Sequence, residues 1–181
     1  LALVHEILKD ADVLLMAMRT KTRERRGLSY EDVAALNPRL IYLSLTGFGE
    51  KGPEADQPGI DIVTQARVGD MAGRIVPGGP PPEHTHLYHF DMATSMLAAY
   101  SISLAINQRE HTGRGQKVEV SLLQSGLACH AIQMTRRIGS EDSFPFQWSG
   151  IRGTYLCSDG RYICTPGVAG DPQWKDVCRT I

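Results

Sequence analysis

The chain has 181 residues, 42% of them apolar and 22% charged, which are ordinary globular proportions and exclude wholesale disorder. Its 19 basic and 20 acidic residues leave a net charge of −1, against a strongly basic nucleic-acid binder. No apolar run approaches the roughly 18–20 residues of a membrane-spanning helix.

The spacing of Leu1, Leu3, Val4, Ile7 and Leu8 predicts a helix over residues 1–9, broken by Asp10-Ala11-Asp12. Val13 to Met16 reads as a short buried strand. Residues 19–26 are dense in charge, and Gly27 is a helix stop. Arg23, Arg25 and Arg26 read as a solvated face. Arg19 differs, because it lies just past the strand's carboxyl end, where α/β sheets bind ligands and a guanidinium fork suits phosphate. Ser29 and Asp32 form a near capping box for a helix that ends at Asn37-Pro38. Leu40 to Thr46 is apolar almost throughout, as in a strand covered on both faces. Strand, helix, strand at this spacing predicts a parallel α/β sheet.

Gly47-Phe48-Gly49 follows that strand directly. The glycines permit close backbone approach, and Phe48 is suited to cover a flat ligand. A loop over 49–60 leads to a helix expected from Asp61 to about Ile75. Pro77 to Pro82 is loop. Residues 91–107 are apolar or small on nearly all sides and predict a long buried helix. A polar turn, Thr112-Gly113-Arg114-Gly115, precedes an alternating strand from Lys117 and a further helix over 122–136. Arg114 and Lys117 read as surface charges. Beyond Arg137 the texture becomes polar and punctuated by Gly and Pro, which predicts a linker over 138–153. Ser158-Asp159-Gly160 then turns a hairpin, and Asp171-Pro172 opens a last helix. Cys129, Cys157, Cys164 and Cys178 form no C-x-x-C pair and read as free, mostly buried thiols of a reduced cytosol. Cys157 and Cys164 flank the hairpin and are candidates to face each other across it.

Two groups carry candidate chemistry. Asp91 opens the long helix, where a carboxylate serves either as an N-cap or as a nucleophile on an activated acyl group. His84, His86 and His89 lie within eight residues that end at Asp91. They read either as metal ligands of a hydrolase or as loop histidines with packing and substrate contacts. On an extended chain His84 and His86 share one face and His89 the other.

The order of these pieces resembles the family III CoA-transferases. The matching runs are the turn bearing Arg19; Asn37 to Tyr42; Gly47 to Gly49; Pro58-Gly59-Ile60-Asp61; Gly79-Pro80-Pro81; Asp91; Thr112 to Gln116; and Val118 to Leu122. The resemblance implies a Rossmann-like parallel-sheet large domain, here incomplete, over 1–137. It implies a linker over 138–153, the start of a smaller α/β domain over 154–181, and an interlinked homodimer. The chain then reads as the middle of a longer, cytoplasmic protein. Asp91 matches the family's catalytic aspartate, with oxyanion stabilisation expected from backbone N–H groups near the helix start. Arg19, Gly47, Phe48, Gly49, Pro58, Gly59 and Asp61 match regions that contact CoA. Acyl-CoA and a carboxylic acid are the implied substrates, with no permanently bound cofactor or metal. Two departures stand out: Met16 to Lys21 replaces the family's usual E-N-F-R-P-G, and Ser95 stands where Gly is frequent. Racemases of the same superfamily carry G-H-D where this chain has Gly59-Ile60-Asp61, and Ile60 moves no proton.

Overall fold

The apolar run Ile41–Thr46 forms β2, the middle strand of a parallel sheet ordered β1-β2-β3. Its neighbours are β1 (Val13–Met16), with Val13 opposite Ile41, and β3 (Lys117–Ser121), with Lys117 opposite Tyr42. The computed structural model describes residues 1–72, 75, 78–134, 152–166, 175, 176 and 179. Contacts divide the chain into two units, Leu1–Ala131 and Ile132–Ile181.

Alternate side chains of β2 enter two different cores, which explains why the strand is apolar without alternation. Tyr42 joins Leu8, Met16, Leu28, Val33 and Leu40 beside α1 (Ala2–Asp10) and α3 (Tyr30–Leu36). Leu43 joins Val120 and Ala98, the latter on the long helix α5 (His89–Thr112). The capping box of α3 forms as its sequence predicts, with Ser29 Oγ accepting from the Asp32 N–H at 3.1 Å and the Asp32 carboxylate accepting from the Ser29 N–H at 3.2 Å. Asn37 closes the same helix and donates through Nδ2 to the carbonyls of Leu8 and Ala11, tying down the end of α1.

The polar turn before β3 is locked against the start of β2. The Gly115 N–H donates to the Pro38 carbonyl at 2.9 Å, and a Cβ on Gly115 would overlap the Leu40 carbonyl. Arg109, only 7% exposed, donates to the Arg39 carbonyl and pairs with Asp12 at 2.8 Å.

Four expectations need correction. Helix α4 spans only Asp61–Arg67, because Gly69 turns the chain out at φ 80°. Helix α5 is longer than expected but not buried all round: Met92, Met96, Tyr100 and Leu104 are exposed at four-residue intervals. Its buried residues are Phe90 and Arg109 toward the two ends and the small Thr94, Ala98 and Ala105 between them. Arg23 is not solvated but 3% exposed, inside the charge cluster described below. Cys129 and Cys164 are exposed thiols rather than buried ones.

In the second unit, β4 (Arg152–Leu156) and β5 (Tyr162–Pro166) form the expected antiparallel hairpin. The register sets Cys164 opposite Thr154, so Cys157, beyond the ladder, does not face it. The expected linker over 138–153 lies outside the described residues except for Arg152 and Gly153, which open β4. Of the last helix only Lys175, Asp176 and Arg179 are among them, each helical, and Cys178 is not.

Candidate active site

The carboxyl ends of β1 and β2 open onto a cavity of about 590 Å³. Arg19, which precedes α2 (Thr20–Glu24), lines it together with Met18, Thr46, Gly47, Pro58, Gly59, Ile60 and Asp91. Five residues expected at a site, Arg19, Gly47, Pro58, Gly59 and Asp91, are thus brought to one wall system. Phe48, Gly49 and Asp61 do not line it. Phe48 is 8% exposed and packs beneath Gly59, on the inner side of the wall. Gly49 takes φ 90°, and its N–H donates to Thr46 Oγ1, which turns the chain away after β2.

Asp61 is 1% exposed. Its Oδ1 accepts from Gln65 Nε2 at 2.5 Å. Its Oδ2 accepts from the backbone N–H groups of Phe90 and Asp91 at 2.8 and 2.9 Å. Asp61 therefore caps α5 from thirty residues away, a role that the local sequence of α5 does not reveal. The next N–H, of Met92, donates to the Tyr88 carbonyl. The N–H groups of Phe90, Asp91 and Met92 are thus occupied, and α5 is entered through Tyr88 in the left-handed region at φ 45°.

Asp91 sits in the first turn of α5 without capping it. No hydrogen bond reaches its carboxylate among the described residues, whereas its backbone carbonyl accepts from Ser95 Oγ at 2.8 Å. Partial desolvation, and then the negative charge of Asp61, push the Asp91 carboxyl above its ordinary value. The arrangement leaves a carboxylate accessible, unpartnered and more basic than usual.

A second cluster lies behind the wall. Glu50 pairs with Arg23 and Lys117, and Arg23 donates to Ser44 Oγ at 2.6 Å. Burial would raise the Glu50 carboxyl, but hydrogen bonds from Lys117, Ser44 and Arg23 and the Arg23 charge bring it down to about 2. Lys117 is three-quarters buried and also meets Glu119 at 2.7 Å, so it is not the surface charge its sequence suggests. Glu50, Gln65 and Thr85 carry no sequence signal that marks them; only the position of Glu50, directly after Gly47-Phe48-Gly49, hints at a role.

The histidines separate. His84 and His86 meet ring to ring with centroids 4.7 Å apart. His89 Nδ1 lies 3.0 Å from Thr85 Oγ1, and its Nε2 lies 3.7 Å from Asp70, which also meets His130 at 3.3 Å. Among the described residues no three His, Cys, Asp or Glu side chains converge as a metal site requires.

The sequence model of CoA-transferase family III matches residues 1–181. The chain belongs to this family. Acetyl-CoA:oxalate CoA-transferase of Acetobacter aceti is 37% identical over 127 residues, covering 70% of this chain and 33% of that protein. (R)-2-hydroxy-4-methylpentanoate CoA-transferase of Clostridioides difficile is 28% identical over 182 residues, covering 99% of this chain and 46% of that protein. The crystal structure of a CAIB/BAIF family protein from Brucella suis superposes with a TM-score of 0.79 at 28% identity, covering 99% of this chain and 48% of that one. The chain thus spans a third to a half of these relatives, and its three parallel strands belong to a Rossmann-like family III domain that is incomplete beside theirs. Among the described residues no helix is long and apolar enough to cross a membrane.

Proposed function

We propose that the protein moves CoA between an acyl-CoA thioester and a carboxylic acid, with Asp91 as nucleophile. One observation carries the reading: an unpartnered Asp91 carboxylate lies on the same cavity wall as Arg19 and the Gly47–Gly59 contact. An Asp91 oxygen attacks the thioester carbonyl, the C–S bond breaks, and CoA thiolate leaves behind an acyl–aspartyl anhydride. The thiolate attacks the aspartyl carbonyl and expels the donor carboxylate, giving an aspartyl-CoA thioester. The acceptor carboxylate attacks that thioester and releases the thiolate. The thiolate then takes the new acyl group and restores Asp91. No electrons are gained or lost. A carboxylate is a weak nucleophile in water, and a partly desolvated, oriented one recovers rate through proximity.

Arg19 suits the CoA phosphates, and Gly47, Pro58 and Gly59 shape its path, with Gly49 turning the chain behind them and Phe48 supporting them from beneath. Asp61 acts from behind Asp91 in this reading and not as a CoA contact. The reading extends to a cytoplasmic homodimer without a permanent cofactor. It takes residues 1–137 as part of the large domain, 138–153 as linker and 154–181 as the start of the small one. The free thiols Cys129, Cys157 and Cys164 accord with a reducing compartment. The test is CoA exchange by the complete gene product across a panel of carboxylates. Exchange is expected in the wild type and absent in Asp91→Asn; exchange that survives the substitution rules the nucleophile out.

A further inference from the structure

A carboxylate in the first turn of a helix ordinarily caps it, accepting the free N–H groups and gaining stability from the helix dipole. Such an anion is quiet: its lone pairs are engaged and its basicity lowered. In α5 that duty has passed to a different residue. Two of the free N–H groups at the start of the helix, those of Phe90 and Asp91, converge on one oxygen of Asp61, which projects from the first turn of α4. The other Asp61 oxygen is held by Gln65.

Gln65 fixes the segment that leads into α5. Its Nε2 donates to the Thr85 carbonyl at 3.1 Å, and its Oε1 accepts from the Thr85 N–H at 2.9 Å. Thr85 in turn reaches His89 in the first turn of α5. Asp61 and Gln65 are fully buried, so this arrangement is rigid where Asp91 must be held.

We propose that Asp61 is a positioning residue for Asp91: it caps α5 in Asp91's place and so leaves the Asp91 carboxylate free and turned to the cavity. This rests on the reading of Asp91 as nucleophile. Asp61 does not touch substrate. It acts through the backbone of the first turn and through its own negative charge, which disfavours a second anion beside it. The other charged or titratable groups about this turn are Arg19 across the cavity, His89 on α5 itself, and Asp70 and His130 behind His89.

The test compares Asp61→Asn with the wild type in the complete gene product. Asparagine keeps an acceptor for the cap and removes the charge. The expected result is a kcat lower by roughly tenfold to a hundredfold with KM for the thioester held. With it, the acid limb of the kcat–pH profile moves to lower pH, since Asp91 loses its anionic neighbour. A structural role alone would scale kcat equally at every pH. An acid limb that stays in place, whatever the change in kcat, overturns the proposal. If Asp61→Asn does not fold, Asp61→Ser, an uncharged oxygen acceptor and good capping residue, is read the same way. Failure of the nucleophile reading looks different: Asp91→Asn would then retain exchange regardless of Asp61.

Discussion

Gly47 and Gly59 meet backbone to backbone, so closely that a Cβ placed on Gly47 would lie 2.5 Å from the Gly59 Cα. No side chain fits between the end of β2 and the Pro58-Gly59 loop. Gly59→Ala therefore forces the loop off the strand end. The expected cost is ~1–3 kcal/mol of stability, the range of an overpacked site. Because both residues line the cavity, KM for the acyl-CoA rises as well. Steady-state kinetics and denaturation of the variant check both; an unchanged KM would show that the contact does not shape the site.

Glu50 ties together α2, β2 and β3, and its acid behaviour follows from the sign of its shift. Its folded value of about 2 lies below the ordinary 4.5, so its contribution to stability is complete above the ordinary value and disappears as pH falls from about 5 toward 2. The magnitude is on the order of 3 kcal/mol. Glu50→Gln should flatten the stability curve in that window. It should also weaken the fold at neutral pH by ~3 kcal/mol, because the buried Arg23 guanidinium loses its counter-charge. Parallel curves for wild type and variant would contradict the buried pairing.

Asp91 is predicted to cost stability. Its folded value is raised, so ionisation is disfavoured in the fold, and the penalty applies above that value and vanishes as pH falls below the ordinary carboxylate range. Asp91→Asn should raise Tm slightly at pH 7, with the gap closing toward pH ~4. A variant less stable than wild type at neutral pH would mean that the carboxylate is structurally paired.

Gly115 carries a prediction about the sheet alone. Alanine there overlaps the Leu40 carbonyl and breaks the bond from Gly115 N–H to Pro38. A loss above ~2 kcal/mol is expected, with CoA exchange per folded molecule unchanged. Chemical denaturation and active-site titration separate the two effects.

That contact also explains what was legible. Asn37 to Tyr42 and Thr112 to Gln116 are the two halves of one junction that aligns β3 on β2. They therefore appear together as motifs, though neither lines the cavity. The capping box of Ser29 and Asp32 and the apolar run of β2 were legible because each completes its physics within a few residues. The exposed line Met92, Met96, Tyr100 and Leu104 was not, since a helix apolar on every side carries no periodicity to orient it. Arg23 looked solvated because its partner, Glu50, lies in another element. Asp61 resembled a ligand contact in its loop motif, and only the folded chain brings it under α5. Asp91 was legible by position, but not the relief from capping that leaves it free.

The central claim is a covalent bond to Asp91. The complete gene product should be incubated with an acyl-CoA, quenched with hydroxylamine, digested and mapped by mass spectrometry. An aspartyl hydroxamate confined to the peptide containing Asp91, dependent on the thioester and absent in Asp91→Asn, is the predicted result. Catalytic CoA exchange with Asp91 unmodified, or with the hydroxamate on another carboxylate, would contradict it.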